Sequence, residues 1–374
     1  MSPESQNEFI KMLVDEYREM IDAEISKAPF TAVIADTTPD VSNDDQMAFA
    51  VRFVNDEGKP CERLLETKIV IDKTGAGLAK AILQAAQERN VDTTNIRYQT
   101  YDSASSMSGK YKGAQQIFSE LLERPIIYTA CLPHGSNLVI EHAFDASPII
   151  SNMYVNLEAL YVFFAASTKR TFNLNEVMKT SSDCLKLTNL SKTRWTARPD
   201  AIKAVWVDYD EICQSLQEIS QDRKFDQESR TKALGLLSKI KSFDFIFAIM
   251  FMKNIMFKMK MMVDLLQTEE LDVSGALLAM QETKDSLNRI RRTENAINNE
   301  VQAACLFDSQ FNVDAEAEFQ RIHRKRVPPR CLDANPETQT NMSMATFYRK
   351  EVFLFLDTMV EGVISKDKWP GVLI

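Results

Sequence analysis

The stretch Arg97-Tyr-Gln-Thr-Tyr-Asp102-Ser-Ala-Ser-Ser-Met-Ser-Gly-Lys-Tyr-Lys-Gly113 decides how the chain is read. Apolar and polar residues alternate up to Asp102, small residues follow, and a helical pattern begins near Ser108. One carboxylate therefore sits where a strand hands over to a helix. A second acid, Asp36, closes another β-rich run, Phe30-Thr-Ala-Val-Ile-Ala-Asp36. An Asp at a strand end is more often a turn or cap residue than a catalyst, so the pair carries weight only if the two strands are neighbours. Asp40, past the strand and next to Pro39, competes with Asp36 and ranks second.

Working outward, the spacing of Phe9, Ile10, Leu13, Val14, Tyr17, Met20, Ile21 and Ile25 predicts an amphipathic helix that Pro29 ends. Three β-rich runs, 30–37, 47–54 and 64–71, are separated by turn-forming segments short enough for antiparallel neighbours. From Gly77 the period becomes helical; a strand at 96–101, a helix at about 108–122, a strand at 126–130 and a helix at about 136–144 follow. The order βββαβαβα is that of a ribonuclease H-like mixed sheet. In that sheet the first and fourth strands lie side by side, which makes Asp36 and Asp102 neighbours. Two such carboxylates repel unless a cation lies between them, and Mg²⁺ or Mn²⁺ suits oxygen donors.

After about residue 147 only helical patterns are convincing, so an all-α insertion is expected to interrupt the α/β fold. The expected divisions are an N-terminal helix at 1–29, the ribonuclease H-like core at 30–146, a helical insertion at 147–330, and a linker with a helix leading back at 331–374. No internal repeat is visible. The run 245–252 is far shorter than the roughly 20 apolar residues a spanning helix needs; it reads as a buried helix, and no membrane association is expected. The start of the sequence lacks a basic region followed by an apolar one.

With 374 residues the chain exceeds one ordinary core. Its net charge of -9 argues against strong nonspecific nucleic-acid binding by the whole surface, while leaving room for local basic patches. The 6 cysteines are scattered without a CxxC pair, which disfavours a disulfide framework or a zinc ribbon and favours a reducing compartment. Gly75-Ala-Gly77-Leu-Ala-Lys80 departs from a dinucleotide fingerprint at its third glycine, and Ser108-Gly109-Lys110-Tyr111 is no P-loop. Cys131 and His134 supply two ligand types, but zinc needs at least three; a structural pair is the simpler reading. Trp195, between Lys192 and Arg194 on one side and Arg198 on the other, is either core or a platform for an unpaired base.

In order, Ile34-Ala-Asp-Thr-Thr-Pro-Asp40, Tyr101-Asp-Ser-Ala-Ser-Ser-Met-Ser-Gly-Lys110, Cys131-Leu-Pro-His-Gly-Ser-Asn-Leu-Val139 and Thr193-Arg-Trp195 resemble the landmarks of hAT-type transposases. The branch is that of the zinc finger MYM-type 1-like and THAP-domain transposase-derived proteins. The likeness opens with Ser2-Pro-Glu-Ser-Gln-Asn-Glu8 and runs on to Arg326-Val-Pro-Pro-Arg330 and Tyr348-Arg349. The resemblance implies an Asp, Asp, Glu triad with two metal ions, Asp36 and Asp102 being the first two acids, acting on a DNA phosphodiester. It implies that Cys131 and His134 form the CxxH element, and that Trp195, flanked by Lys192 and Arg194, packs against a flipped DNA base.

Several departures qualify that picture. Nothing matches the Ser-rich, Glu-Arg-containing helix start that carries the third acid; Glu351 and Glu361 lie on a helix preceding that site. Ser103 replaces the usual glycine, and Ser136-Asn137-Leu138 replaces Leu-Asn-Leu. A chain truncated at both ends is expected, without the N-terminal zinc finger or the C-terminal segment through which a homo-oligomer would form. The expectation is thus a nuclear, DNA-associated, transposase-derived protein with little strand transfer, its enzyme status open. The alternative is a non-enzymatic nuclear protein-interaction or regulatory protein.

Overall fold

The computed structural model describes residues 2–40, 42, 44–179, 187, 197–268, 271–293, 295–309, 314–322 and 343–363. The chain divides into two units. The first comprises Met1–Leu138, Leu265–Ala279 and Ile364–Ile374; the second comprises Val139–Asp264 and Met280–Val363.

In the first unit the elements run α1 (Pro3–Ser26), β1 (Thr31–Pro39), β2 (Asp45–Val54), β3 (Pro60–Ile69), α2 (Gly75–Glu88), β4 (Ile96–Tyr101), α3 (Ser105–Ser108), α4 (Ala114–Leu121) and β5 (Ile127–Ala130). The five strands form one sheet in the order β3-β2-β1-β4-β5. β1, β2 and β3 are an antiparallel meander, and β4 and β5 add to it in parallel. This is the ribonuclease H-like mixed sheet that the element order predicts.

Alternation explains the sheet's core face. Met47, Phe49, Val51 and Phe53 of β2 point the same way as Val33 and Ala35 of β1, and all are buried. Leu78, Ile82, Ala85 and Ala86 cover them from α2, and Ala114 and Phe118 from α4. Each large side chain so buried contributes roughly 1.5–3 kcal/mol. The C-terminal turns of α1 join this core through Ile21 and Ile25.

Two details differ from the sequence-based expectation. The single helix predicted over about 108–122 is broken into α3 and α4, because Gly109 and Gly113 approach closer than any side chain allows. A Cβ on Gly113 would lie 2.2 Å from the Gly109 nitrogen. The third strand starts earlier than predicted, at Pro60, and ends at Ile69.

In sequence, α5 (Leu132–Ala146) leads from the first unit into the second. The second unit then carries α6 (Pro148–Ala165), α7 (Thr168–Met178), α8 (Ala197–Val207), α9 (Tyr209–Gln221), α10 (Gln227–Ile240), α11 (Phe243–Leu266), α12 (Val273–Arg292), α13 (Ala296–Ser309), α14 (Ala315–Ile322) and α15 (Met344–Val363). Both α11 and α12 also have residues in the first unit. Among the described residues this part holds no strand, as an all-α insertion requires. The apolar run of α11 is internal: Phe245, Ile246, Phe247, Ile249, Phe251 and Met252 are all buried. Phe243, Phe247 and Tyr348 stack around its start, and the Tyr348 hydroxyl bonds the Asp244 carboxylate. No single helix among the described residues is long and apolar enough to cross a membrane.

Candidate active site

β1 and β4 run parallel, with Val33 opposite Gln99 and Ile34 opposite Thr100. Two residues further along each strand, the same register sets Asp36 beside Asp102. On β4's other side Tyr101 pairs with Ala130 of β5, so the next step places Cys131 beside Asp102. Asp36 does not close its strand as the sequence suggests, because β1 runs on to Pro39 and Asp36 pairs with Ala48 of β2; it lies level with Asp102 and Cys131, which directly follow the ends of β4 and β5, and His134 follows in the first turn of α5. In sheets with parallel strands, the crevice outside the carboxyl ends is where ligands bind.

The four groups influence one another electrostatically. Asp36 keeps solvent contact, yet the crowding around its carboxyl, and secondarily the charge on Asp102, hold it above the ordinary carboxylate range. The Thr37 backbone N–H and the His134 side chain oppose that rise. Burial pushes the Cys131 thiol up, and both carboxylates add to the effect; such a thiol is a poor nucleophile at neutral pH. The His134 backbone N–H bonds the Cys131 sulfur and moderates the rise. Asp102 is braced from its own loop: the Ala104 N–H donates to its Oδ1 at 3.1 Å. The Tyr128 hydroxyl donates to the Asp102 carbonyl at 3.0 Å.

Two supporting residues escaped the sequence reading. Tyr128 lies on the short fifth strand. Gln99 looked like the polar half of an alternating strand, but it is buried, and its Nε2 donates to the carbonyls of Gln115 (2.9 Å) and Ile126 (3.0 Å) and to Ser119 Oγ (3.2 Å). That amide clips β4, three residues before Asp102, to α4 and to the entry of β5. A lone Gln in a strand carries no sequence signal for this.

The competing residues fall into structural roles. Asp40 accepts from the backbone N–H groups of Ser42 (2.8 Å) and Asp44 (3.0 Å) and from Gln46, which explains its lowered pKa as a turn carboxylate. Gly75 and Gly77 open α2 under a Thr74 cap. In the second unit Glu351 accepts from Ser147 Oγ at 2.9 Å, and Arg198 pairs with Glu141 at 2.8 Å. Lys192, Arg194 and Trp195, the expected DNA-contacting residues, lie outside the described residues. Among the described residues no group of three or more His, Cys, Asp or Glu side chains is arranged to hold a metal ion.

Comparison with known proteins supplies the kinship. Residues 1–113 match the family model DUF4371, described as the ZMYM1/FAM200 RNase-like domain. This match agrees with the resemblance to hAT-type transposase-derived proteins that the sequence motifs carry. It is 22% identical over 376 residues to the human "52 kDa repressor of the inhibitor of the protein kinase", covering 98% of this chain and 47% of that protein. It is 22% identical over 311 residues to the protein of the same name from Mus musculus, covering 79% of this chain and 39% of the relative. This chain therefore spans less than half the length of the curated relatives it matches.

The family match ends at Gly113, so it includes both Asp36 and Asp102 and stops short of the CxxH element. The hAT-type resemblance would imply divalent metal ions. Two hard oxygen donors whose mutual repulsion a cation relieves fit one such ion; nothing described here matches the third acid that a two-metal centre needs.

Proposed function

We propose that this chain is a transposase-derived ribonuclease H-like protein that retains a weak divalent-metal site at Asp36 and Asp102 and has little or no strand-transfer activity. The observation that carries the reading is the pair of carboxylates side by side on β1 and just past β4, without a third metal-ligating partner among the described residues. When bound, Mg²⁺ or Mn²⁺ supplies the means to activate a water nucleophile and stabilise the leaving oxygen of a phosphodiester. The chain's own contribution is narrower. Asp36 and Asp102 offer oxygens to a cation, the turn at Ala104 fixes one of them, and Tyr128 steadies the loop beneath.

Calorimetric titration of Mn²⁺ into the chain, beside a plasmid-nicking assay in the same buffer, tests this reading. Binding that is weak, saturable and lost in Asp102→Ala, without nicking above background, is the expected result. Nicking abolished by Asp102→Ala would show a complete catalytic centre instead and overturn the inactive part of the proposal. The same reading places the protein in the nucleus, in association with DNA.

A second reading, a non-enzymatic interaction protein, is favoured by α1. Phe9, Ile10, Met12, Leu13, Tyr17 and Met20 are all more than half exposed. Of these, Ile10, Leu13 and Tyr17 border, with Leu64 of the edge strand β3, a groove of about 880 Å³. Contiguous apolar surface of this kind marks interaction sites, and an unpaired strand edge beside it offers backbone bonds to a partner. A second copy of the chain is the first partner to test: sedimentation velocity should show self-association that Leu13→Asp together with Leu64→Asp removes.

A further inference from the structure

The second unit contains a pocket of about 730 Å³ among α8, α11, α12 and α13. Its size is that of a small-molecule site. The apolar wall comes from Ile255, Phe257, Ile290 and Ile297, of which Ile255 and Ile297 are fully buried. Four lysines line it, Lys203, Lys253, Lys258 and Lys260, against two carboxylates, Asp200 and Glu300. In a chain of net charge -9 this is a local reversal of sign.

The partners of those charges show what the pocket leaves unmet. Lys260 is held by Asp200 at 3.1 Å. Lys253 leans over the Trp206 ring, 4.7 Å from its centroid, and its charge also reaches Glu300. Glu300 is itself half-buried, accepts from Asn254 Nδ2 at 3.3 Å, and has its carboxyl pushed up by burial. Lys203 and Lys258 have no ion pair among the described residues. The pocket therefore combines a greasy wall with two uncommitted ammonium groups at its edge.

We propose that this pocket binds an amphipathic organic anion: a ring system or short alkyl chain, seated against Phe257 and Ile290 above the buried Ile255 and Ile297, carrying one carboxylate or sulfonate that meets Lys203 and Lys258. The apolar body supplies most of the affinity, and the lysines select the sign of the head group. The site is independent of the acids on the sheet, and its test does not depend on metal binding.

The probe is 8-anilinonaphthalene-1-sulfonate, followed by fluorescence with the full chain in the Leu13→Asp, Leu64→Asp background, so that the exposed face of α1 contributes no signal. We expect saturable binding that decanoate displaces and decylamine does not. Lys203→Glu and Lys258→Glu should each weaken it by roughly fivefold, and Glu300→Gln should strengthen it. Circular dichroism checks each variant; if a charge reversal fails to fold, Lys203→Gln and Lys258→Gln, which alter only surface-reaching ends, take its place and should weaken binding less. Equal displacement by decylamine overturns the proposal, as does unchanged affinity in folded lysine variants. Displacement of the probe by duplex DNA with the same lysine dependence also overturns it, by making the pocket part of a nucleic-acid surface.

Discussion

Asp36 is where the fold works against itself. Its carboxyl sits above the usual range because its surroundings crowd it and Asp102 lies alongside, so the native state holds that proton more tightly than the unfolded chain does. A raised native pKa contributes stability at low pH that is lost as pH rises through it. The ordinary value is 3.8, so the loss falls above that value. Asp36→Asn should therefore raise the unfolding free energy measured in urea at pH 7.5, by under about 1 kcal/mol because solvent screens the site, with the advantage shrinking toward pH 4. A variant no more stable than the parent at pH 7.5 would contradict the repulsion. Mg²⁺ should stabilise the parent and leave Asp36→Asn unmoved. Gln99 makes the opposite kind of contribution. Gln99→Ala strips the Gln115 and Ile126 carbonyls of a buried donor, and a loss of about 2 kcal/mol is expected in the same measurement; a loss below the error of the melt would mean that water replaces the amide.

At the scale of elements, the loop between α3 and α4 shows how glycine serves a sheet edge. A Cβ on Gly75 at the start of α2 would come within 2.0 Å of the Lys112 carbonyl oxygen, which is backbone and cannot swing aside. Gly75→Ala should thus cost about 2 kcal/mol by overpacking, read as a drop in denaturation midpoint, whereas Gly235→Ala, with nothing near its Cβ, should be neutral or slightly stabilising. Equal effects at both positions would refute the close approach. The close approach of Gly109 and Gly113 is what separates α3 from α4, against the expectation of one continuous helix. The helical spacing of Ile117, Phe118 and Leu121 was legible, and the collision between Gly109 and Gly113 depends on a loop geometry that no periodicity encodes. Helix α1 teaches the complementary lesson: its apolar spacing predicts a helix correctly, but only its last turns, at Ile21 and Ile25, reach the core.

For the whole molecule, charge sets the interaction with nucleic acid. With 44 basic and 53 acidic residues, the chain as a whole repels a duplex, so nonspecific binding should be weaker than about 10 μM at physiological salt and should fall steeply as salt rises. Fluorescence anisotropy with a labelled random duplex across a salt series checks this. Tight, salt-insensitive binding would require a shielded basic surface that the composition does not suggest. The chain spans less than half of the relatives it matches, so this prediction concerns these 374 residues alone.

By itself the sequence determined the order of strands and helices, because alternation of period 2 and spacing near 3.6 are written residue by residue. From that order followed the mixed sheet and the two acids on neighbouring strands. Only the tertiary structure decided that the register of β1, β4 and β5 continues to Asp36, Asp102 and Cys131 in one row, that Gln99 is the buried clip behind them, and that most of α1's apolar face stays in water. Pattern is a local property of the chain, whereas register, close backbone approach and exposure depend on which distant segments fold against each other.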